Sequence, residues 1–411
     1  MKKYYIRNTS VVCNDGSTPS YFLRKSTEPR WIIFLEGWGW LCFDKNTCTN
    51  RWRNSPDLMS SKFLPSFIKG QGIQSNDENE NPFIWNGNHV YVPYCSSDLW
   101  SGSFKSLEKD GFSFMGALII EEVIKDIYIK IIFDINLAFG SDISAGGTGV
   151  LLNIDSVARM IRNTMRRLKI KTNPQLTNYK KLTSDRVVVK GIADSGWFIE
   201  NDQTSFSKCT DSLFCSPVEV IIKAIRYWNT VIPLPCRYRY INNPWKCFFG
   251  HHIYPTLLTE VFVVQNLFDE AQIIMNNVGV QSVYDQQNQM RNLGVKIKSS
   301  LSSVKFMFVP ACLSHAILLR SDWRIIEIES ISLPELLYCW GKHNKRDNIL
   351  KYKNMNHYNL MDRCQWPQCN LSCPKFKDAH SSYDNVFSRF QLDSQNLSES
   401  FGVVNNMLET R

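Results

Sequence analysis

A serine followed by small residues stands where a buried strand is predicted to turn into a helix. The apolar run Ile127–Phe139 is typical of such a strand, and Asn153–Ile161 carries apolar residues at helical spacing. Between them the chain contains Ser144-Ala145-Gly146-Gly147. A tight turn of this kind lifts a hydroxyl out of the sheet, and the helix N-terminus beside it stabilises developing negative charge. The pattern indicates a nucleophile at Ser144, although glycine-rich turns between strand and helix are common.

Two later segments contain the acid and the base that a serine nucleophile needs. Asp269 ends the apolar strand predicted from Val261, and His315 ends the loop after the strand predicted from Val304. Serine, acid and histidine is the chain order of the triad in α/β hydrolases. Taken singly, Asp269 is typical of a helix N-cap and His315 of a surface loop. Ser195 also follows a predicted strand and is the rival nucleophile, but no Gly-Gly helix start follows it.

Motifs of one known family recur along most of the chain, in the right order over roughly residues 8 to 375. Besides the Asp269 and His315 segments they are Trp31–Gly37, Asn81–Asn86, Tyr94–Gly102, Phe114–Ile120, Ala193–Phe198, Ile225–Asn229, Cys247–Gly250 and Cys364–Cys369. By these segments the chain resembles the pectin acetylesterase family of the α/β-hydrolase superfamily, and above all its secreted carboxylesterases. The resemblance implies an α/β fold with a mostly parallel central sheet, helices on both faces and disulfide bridges.

The resemblance also implies a site. The family's triad falls on Ser144, Asp269 and His315, and its oxyanion donors fall on the backbone N–H groups of Gly39, Trp40 and Ala145. Its acyl pocket falls on Trp40, Phe198, Pro217, Ile221, Phe248, Phe249, Ala271 and Met275. The implied activity is hydrolysis of the palmitoleate ester on a serine of Wnt proteins, with lipidated Wnt as the partner and no cofactor or metal.

Three departures from the family lie near the predicted site. The family has Gly-Ser where this chain has Asp142-Ile143, so a carboxylate is expected beside the developing oxyanion. Trp38 is an insertion in the oxyanion loop, and a basic insert lengthens the connection at 166–181. Two other functions stay open beside the Wnt esterase. One is a catalytically impaired protein that binds and sequesters lipidated Wnt, and the other is a polysaccharide acetylesterase.

Thirteen cysteines indicate an oxidising compartment and a disulfide-bridged fold. Zinc is the competing interpretation at Cys364, Cys369 and Cys373, but their spacing lacks the paired pattern of structural zinc sites. Pairs close in sequence flank turn-like segments and are expected to form local bridges, as in the family: Cys42/Cys48, Cys209/Cys215 and Cys236/Cys247. Cys13 with Cys95 is a longer candidate. The odd count leaves one thiol over, because Asn356 stands where the family has a cysteine.

Composition bounds the remaining possibilities. With 411 residues and 44% hydrophobic content the chain can bury one large core, and it contains no apolar run typical of a transmembrane helix. The net charge is +9, with nine lysine or arginine residues between Arg159 and Arg186. This segment is interpreted as a solvated helix face, with a heparan sulfate or glypican contact as the alternative. No nucleic-acid recognition motif is present.

One catalytic domain is predicted over residues 1–377, followed by a polar, partly flexible tail over 378–411. Three glycosylation sequons, at Asn8, Asn370 and Asn396, and the many cysteines favour secretion. The first residues, Met1–Arg7, lack the apolar segment of a signal peptide. Since the resemblance begins almost at once, the expectation is a secreted protein whose signal peptide is missing from this chain.

Overall fold

The computed structural model describes residues 1–37, 40–108, 111–128, 136–141, 145–172, 188–200, 216–275, 283–342, 358–364 and 366–374. The strands in these ranges are β1 Lys2–Tyr5, β2 Ser20–Arg24, β3 Arg30–Leu35, β4 Asn88–Val92, β5 Asn136–Ser141, β6 Val188–Asp194, β7 Val261–Val264, β8 Met307–Val309, β9 Glu327–Ile328, β10 Ile331–Ser332 and β11 Asn359–Met361. The helices are α1 Lys45–Asn54, α2 Gly116–Tyr128, α3 Ala145–Thr172, α4 Pro217–Tyr227, α5 Leu234–Arg239, α6 Gly250–Ile253, α7 Glu270–Met275, α8 Val283–Ser300 and α9 Leu333–Lys342.

One nine-stranded sheet organises the fold, with the strand order β1-β2-β4-β3-β5-β6-β7-β8-β11. The pairs β1/β2 and β2/β4 are antiparallel, and every later pair is parallel. β9 and β10 form a separate two-stranded hairpin. Because the central strands run the same way, the segments that follow β5, β6, β7 and β8 leave the sheet at one edge. This mostly parallel sheet confirms the predicted α/β-hydrolase fold class.

Both faces of the sheet are covered, as β3 illustrates. Ile33 and Leu35 belong to an apolar cluster that includes residues of α2, α3 and α4. Ile32 and Phe34 belong to another cluster, which includes residues of α9. Successive side chains of a strand point to opposite faces, so a strand buried on both sides is apolar throughout. The run Trp31-Ile-Ile-Phe-Leu therefore forms a central strand with helices on both sides.

The predicted strand Ile127–Phe139 is only partly correct. α2 extends to Tyr128, so the start of this run is helical, and the strand itself is Asn136–Ser141. Residues 129–135 lie outside the described ranges. An apolar run is compatible with a buried helix as well as a buried strand, so the pattern could not locate the boundary. The helix predicted at Asn153–Ile161 is confirmed as part of α3.

Five disulfides are present among the described cysteines. Three of them are the predicted Cys13–Cys95, Cys42–Cys48 and Cys236–Cys247, and the other two are Cys312–Cys373 and Cys364–Cys369. The three cysteines of the zinc alternative are therefore all disulfide-bonded. Cys209, Cys215 and Asn356 lie outside the described residues. Cys339 is buried and takes part in none of these five bridges.

Several other sequence predictions concern segments that the structure describes only in part. None of the helices within the described ranges combines the length and the apolar character that a membrane span requires. Arg159 and Arg162 lie exposed on α3, whereas 173–187 lies outside the described residues. The tail predicted over 378–411 also lies outside them. The division into one domain and a tail therefore stays a prediction.

Candidate active site

Asp269 and His315 meet at the sheet edge where β7 and β8 end. Nδ1 of His315 lies 2.7 Å from Oδ2 of Asp269, and both side chains are buried. The second carboxylate oxygen, Oδ1, accepts the backbone N–H of Gln272 at 3.0 Å and so caps the first turn of α7. Asp269 is therefore both a helix cap and the partner of the histidine, and His315 is not a surface loop residue.

The environment of His315 favours a ring that can take up a proton. Burial by itself lowers the pKa of His315, but the carboxylate of Asp269, helped by Glu270 and Asp194, raises that pKa above its usual value. Nε2 is buried and has no hydrogen-bond partner among the described residues. An imidazole held through Nδ1, with Nε2 available, has the form that accepts a proton from a hydroxyl.

The last residue of β6 and the residue after it hold the histidine loop in place. The backbone N–H groups of Ile317 and Leu318 both donate to Oδ2 of Asp194, each at 2.8 Å. The hydroxyl of Ser195 donates to Oδ1 of Asp194 and accepts the N–H of Ala316, both at 2.9 Å. Burial raises the pKa of Asp194 to about 6. Because the Ser195 hydroxyl is already engaged in these bonds, the geometry weighs against it as the rival nucleophile.

The start of α3 packs directly on the end of β6. A Cβ on Gly147 would lie 2.4 Å from the carbonyl oxygen of Asp194 and 2.6 Å from the nitrogen of Gly196. Any side chain at Gly147 would push the two backbones apart, so glycine is required there. The helix is also tied to the neighbouring loop, since Nδ2 of Asn153 donates to the carbonyl of Trp100 at 2.9 Å. These contacts fix where the N-terminus of α3 lies.

Five residues of the predicted elbow and oxyanion loop lie outside the described ranges. They are the predicted nucleophile Ser144, the predicted donor Gly39 and the departures Trp38, Asp142 and Ile143. The structure does describe the position that follows them, because α3 begins at Ala145, which is fully buried. The N–H of a first helical residue has no acceptor inside the helix, so this position is suited to hold an anionic oxygen.

Most of the predicted acyl-pocket residues gather in one apolar cluster. Ala145 belongs to the same cluster, together with Trp40, Phe198, Ile221, Phe248 and Phe249. Pro217 is buried at the start of α4, and Ala271 packs against the cluster at its edge. Met275 is the last residue of α7, and its side chain lies outside the description. Residues from four separate chain segments are thus part of the same apolar cluster as the first residue of α3.

Trp40 links the predicted oxyanion loop to this cluster. Its ring makes an edge-on contact with Phe198, with centroids 4.9 Å apart and planes at 64°. The backbone of Trp40 is left-handed, with φ of 61°, a conformation that few non-glycine residues adopt. Its indole Nε1 is buried without a hydrogen-bond partner among the described residues. Trp38, the predicted insertion, lies two positions earlier in the sequence.

Sequence reasoning missed two buried carboxyl groups around the site. Glu270 follows Asp269 directly, and burial raises its pKa to about 7. Asp98 accepts hydrogen bonds from the backbone N–H groups of Gly102 and Gly116, at 3.0 and 2.7 Å, and burial raises its pKa to about 6. Only adjacency to Asp269 could have indicated Glu270. Asp98 organises the loop whose Trp100 carbonyl holds α3, and no pattern in the sequence around Asp98 indicates this role.

A group of potential metal ligands lies elsewhere in the described part of the chain. The side chains of Glu200, His251 and His252 place potential ligand atoms within 4.8 Å of one another. His251 and His252 follow Phe248-Phe249 in sequence after Gly250, and both phenylalanines belong to the apolar cluster. It includes neither Asp269 nor His315.

The sheet order, the helix start after β5 and the carboxylate–histidine pair after β7 and β8 define an α/β hydrolase. The model of the family described as Pectinacetylesterase matches residues 1–374. The chain therefore belongs to the pectinacetylesterase family.

Within that family the chain is similar to proteins named Notum. It is 40% identical to palmitoleoyl-protein carboxylesterase notum1a of Danio rerio over 399 residues, which cover 95% of this chain and 76% of that protein. It is also 40% identical to palmitoleoyl-protein carboxylesterase NOTUM of Homo sapiens over 402 residues, covering 95% and 77%. The NOTUM of Drosophila melanogaster is 37% identical over 356 residues, covering 84% and 49%. The chain is accordingly a carboxylic ester hydrolase.

Proposed function

We propose that this chain is a secreted carboxylesterase that removes serine-linked palmitoleate from Wnt proteins. The names of its relatives support a palmitoleoyl-protein substrate. The observation that carries the proposal is the buried Asp269–His315 pair, with Nε2 of the histidine available, together with the apolar cluster against which Ala271, two residues after Asp269, packs. A base close to a large apolar cluster is suited to an ester of a long acyl chain.

The proposed first half-reaction forms an acyl-enzyme. Ser144 Oγ attacks the acyl carbonyl carbon while Nε2 of His315 takes the hydroxyl proton. Asp269 holds the ring through Nδ1 and stabilises the imidazolium that forms. The tetrahedral oxyanion accepts hydrogen bonds from the backbone N–H groups of Gly39, Trp40 and Ala145, about 3–4 kcal/mol for each donor. The intermediate then collapses, and His315 returns the proton to the departing serine oxygen of the substrate.

The second half-reaction restores the enzyme by the same groups. His315 takes a proton from water, whose oxygen attacks the carbonyl carbon of the acyl-enzyme. Collapse of this second intermediate releases palmitoleic acid, and the proton goes back to Ser144 Oγ. Water is consumed, one ester bond is broken and no cofactor is needed. The Asp269–His315 pair therefore acts in both halves of the reaction.

The acyl chain is proposed to bind among the aromatic residues. Trp40, Phe198, Phe248 and Phe249 are supplied by three chain segments and belong to one cluster. Each buried CH₂ group contributes about 0.8 kcal/mol, so an octanoyl chain, with six more CH₂ groups than acetyl, gains up to about 5 kcal/mol. This difference favours a lipid esterase over a polysaccharide acetylesterase.

Further parts of the proposal rest on composition and on the family. The five disulfides support an oxidising compartment and therefore secretion. Residues 1–377 are proposed to form one catalytic domain. The exposed Arg159 and Arg162 on α3 are compatible with a heparan sulfate or glypican contact.

The decisive test compares esters of different length. The purified chain, expressed with a signal peptide, should hydrolyse p-nitrophenyl octanoate much faster than the acetate, and should release palmitoleate from an acylated serine peptide. The Ser144→Ala variant is the matched control and should bind the lipidated peptide without turnover. A preference for acetate would replace the proposal with an acetylesterase. Tight binding of the peptide without turnover by the unmodified chain would favour the sequestering protein.

A further inference from the structure

Two histidines and a glutamate form a compact group outside the proposed triad. His251 and His252 lie in α6, and Glu200 lies in the segment that follows β6. One ligand atom of each residue lies within 4.8 Å of those of the other two. Nε2 of His252 is 2.5 Å from Oε1 of Glu200, and the two imidazole rings are 4.0 Å apart between centroids. All three side chains are half-buried.

The backbone brings these side chains together through close packing. Gly250 lies against the ring of Trp197, and a Cβ on Gly250 would be 2.3 Å from that ring. The start of α6 can therefore approach the segment that carries Glu200. The same segment is held on its other side, where Gln265 accepts the N–H of Trp197 at 3.1 Å and Gln272 accepts the N–H of Ile199 at 3.0 Å. The group is thus built on fixed backbone.

Hydrogen bonds within the described part of the protein satisfy the side chains of Glu200 and His252, but not that of His251. His252 is held at both ring nitrogens, by Glu200 and by the hydroxyl of Tyr240 at 3.0 Å from Nδ1. His251 is different, because its Nδ1 is buried and has no hydrogen-bond partner among the described residues. A buried polar atom without a partner is costly and is uncommon in folded proteins. The structure therefore leaves one ring nitrogen of this group without a hydrogen-bond partner among the described residues.

We propose that Glu200, His251 and His252 form a binding site for a divalent transition metal ion, with Zn²⁺ as the expected ion. Two imidazoles and one carboxylate are a ligand set that zinc accepts, with water in the fourth position. Binding replaces the hydrogen bond between His252 and Glu200 with two bonds to the ion, and adds a third bond from a ring nitrogen of His251. The charges of Lys246 and Arg239, which lie near these histidines, oppose the cation, and the carboxylate of Glu200 offsets them.

Such an ion would join two walls of the proposed acyl pocket. Glu200 lies two residues after Phe198, and His251 lies two residues after Phe249. Both aromatic residues belong to the cluster described above. An ion bound by both segments restrains their separation without touching the Asp269–His315 pair. The site is therefore structural in character and can change how long acyl chains bind, a consequence that rests on the proposed function.

Metal binding itself is tested on the intact chain, independently of esterase activity. The protein is dialysed against EDTA and then titrated with Zn²⁺ by calorimetry, and its unfolding temperature is measured with and without the ion. We expect one Zn²⁺ per chain and a higher unfolding temperature. Loss of any ligand should weaken binding at least tenfold, as measured with His251→Gln and Glu200→Gln. Glu219→Gln, which removes a partly exposed glutamate of α4, is the matched control and should bind like the parent.

The His251→Gln variant distinguishes a metal site from a group held together only by hydrogen bonds. It leaves the hydrogen bond between Glu200 and His252 intact, so the metal-free variant should unfold at nearly the same temperature as the metal-free parent. Only the increment caused by Zn²⁺ should be lost. Absence of Zn²⁺ binding by the parent, or equal binding by His251→Gln, would overturn the proposal. Either outcome is independent of whether the chain hydrolyses lipid esters.

Discussion

Glu270 is a buried acid that adjoins the proposed triad, and its replacement by glutamine makes a quantitative prediction. Burial raises the pKa of this carboxyl from an ordinary value of 4.5 to about 7, while the nearby charge of His315 opposes part of that rise. The folded protein therefore holds the proton more tightly than the unfolded chain does. As the pH rises from below 4.5 to above 7, the carboxyl must ionise in a buried position, and the folded state loses stability relative to the unfolded state.

The magnitude follows from the two pKa values. A difference of this size, at about 1.4 kcal/mol per pH unit, corresponds to a loss of about 3 kcal/mol above pH 7, of which about 2 to 3 kcal/mol develops between pH 5 and pH 8. Glutamine has nearly the same shape and does not ionise. Glu270→Gln should therefore stabilise the protein at pH 8 by about that amount more than at pH 5.

The kinetics of the same variant provide a second measurement. Glu270 is one of the carboxylates that raise the pKa of His315, and His315 must be neutral to accept a proton. In the parent, kcat/KM on p-nitrophenyl octanoate should fall as the pH drops through a value above the usual histidine pKa of about 6.5. In Glu270→Gln this decline should begin at a lower pH.

Urea unfolding at pH 5 and pH 8 and a pH–rate profile measure both effects. Glu219→Gln is the control for stability, since that glutamate is partly exposed and pairs with Lys223 on the protein surface. An equal stability difference between Glu270→Gln and the parent at both pH values would refute the reasoning about burial. If kcat/KM declines at the same acidic pH in Glu270→Gln and in the parent, Glu270 does not raise the pKa of His315.

Three further predictions concern the predicted elbow and its rival serine. Gly147→Ala should destabilise the fold by several kcal/mol and abolish activity, because its Cβ would lie 2.4 Å from a carbonyl oxygen at the end of β6. An unfolding temperature equal to that of the parent would contradict the packing argument. Ser144→Ala should abolish turnover, and its stability should stay within about 1 kcal/mol of the parent. Ser195→Ala should keep measurable turnover but lose about 1–3 kcal/mol of stability, because the backbone N–H of Ala316 is left without an acceptor. The reverse pattern of activity in an octanoate assay would show that Ser195 is the nucleophile. Replacing Asp142-Ile143 by Gly-Ser should raise kcat at least tenfold with little change in KM. The reason is that the Asp142 carboxylate and the oxyanion, if about 5 Å apart, repel by roughly 3 kcal/mol at an effective dielectric of 20. Equal rates in the two proteins would mean that the carboxylate points into solvent.

The parts of the site that depend on residues close together in sequence could be predicted. Strand-like runs ending in Asp269 and preceding His315, and a glycine-rich helix start, are local patterns, and the sheet that carries them has the predicted class. The boundary between α2 and β5 could not be predicted, because an apolar run satisfies a helix and a buried strand equally well. The double use of Asp269, as the cap of α7 and the partner of His315, was also beyond the pattern, which offered the two roles as alternatives.

The sequence, together with the family that it resembles, predicted the kind of chemistry, the fold class and three of the disulfides, since the motifs that carry the resemblance depend on residue type and order. Tertiary structure alone decided what each polar group contacts. Only packing between distant segments assigns the Ser195 hydroxyl to the histidine loop, buries Glu270 so that its pKa rises, and brings Glu200 against two histidines about fifty residues away. The physical reason is that burial and long-range contacts set the energy of a charge or a hydrogen bond, and neither is encoded in a local pattern.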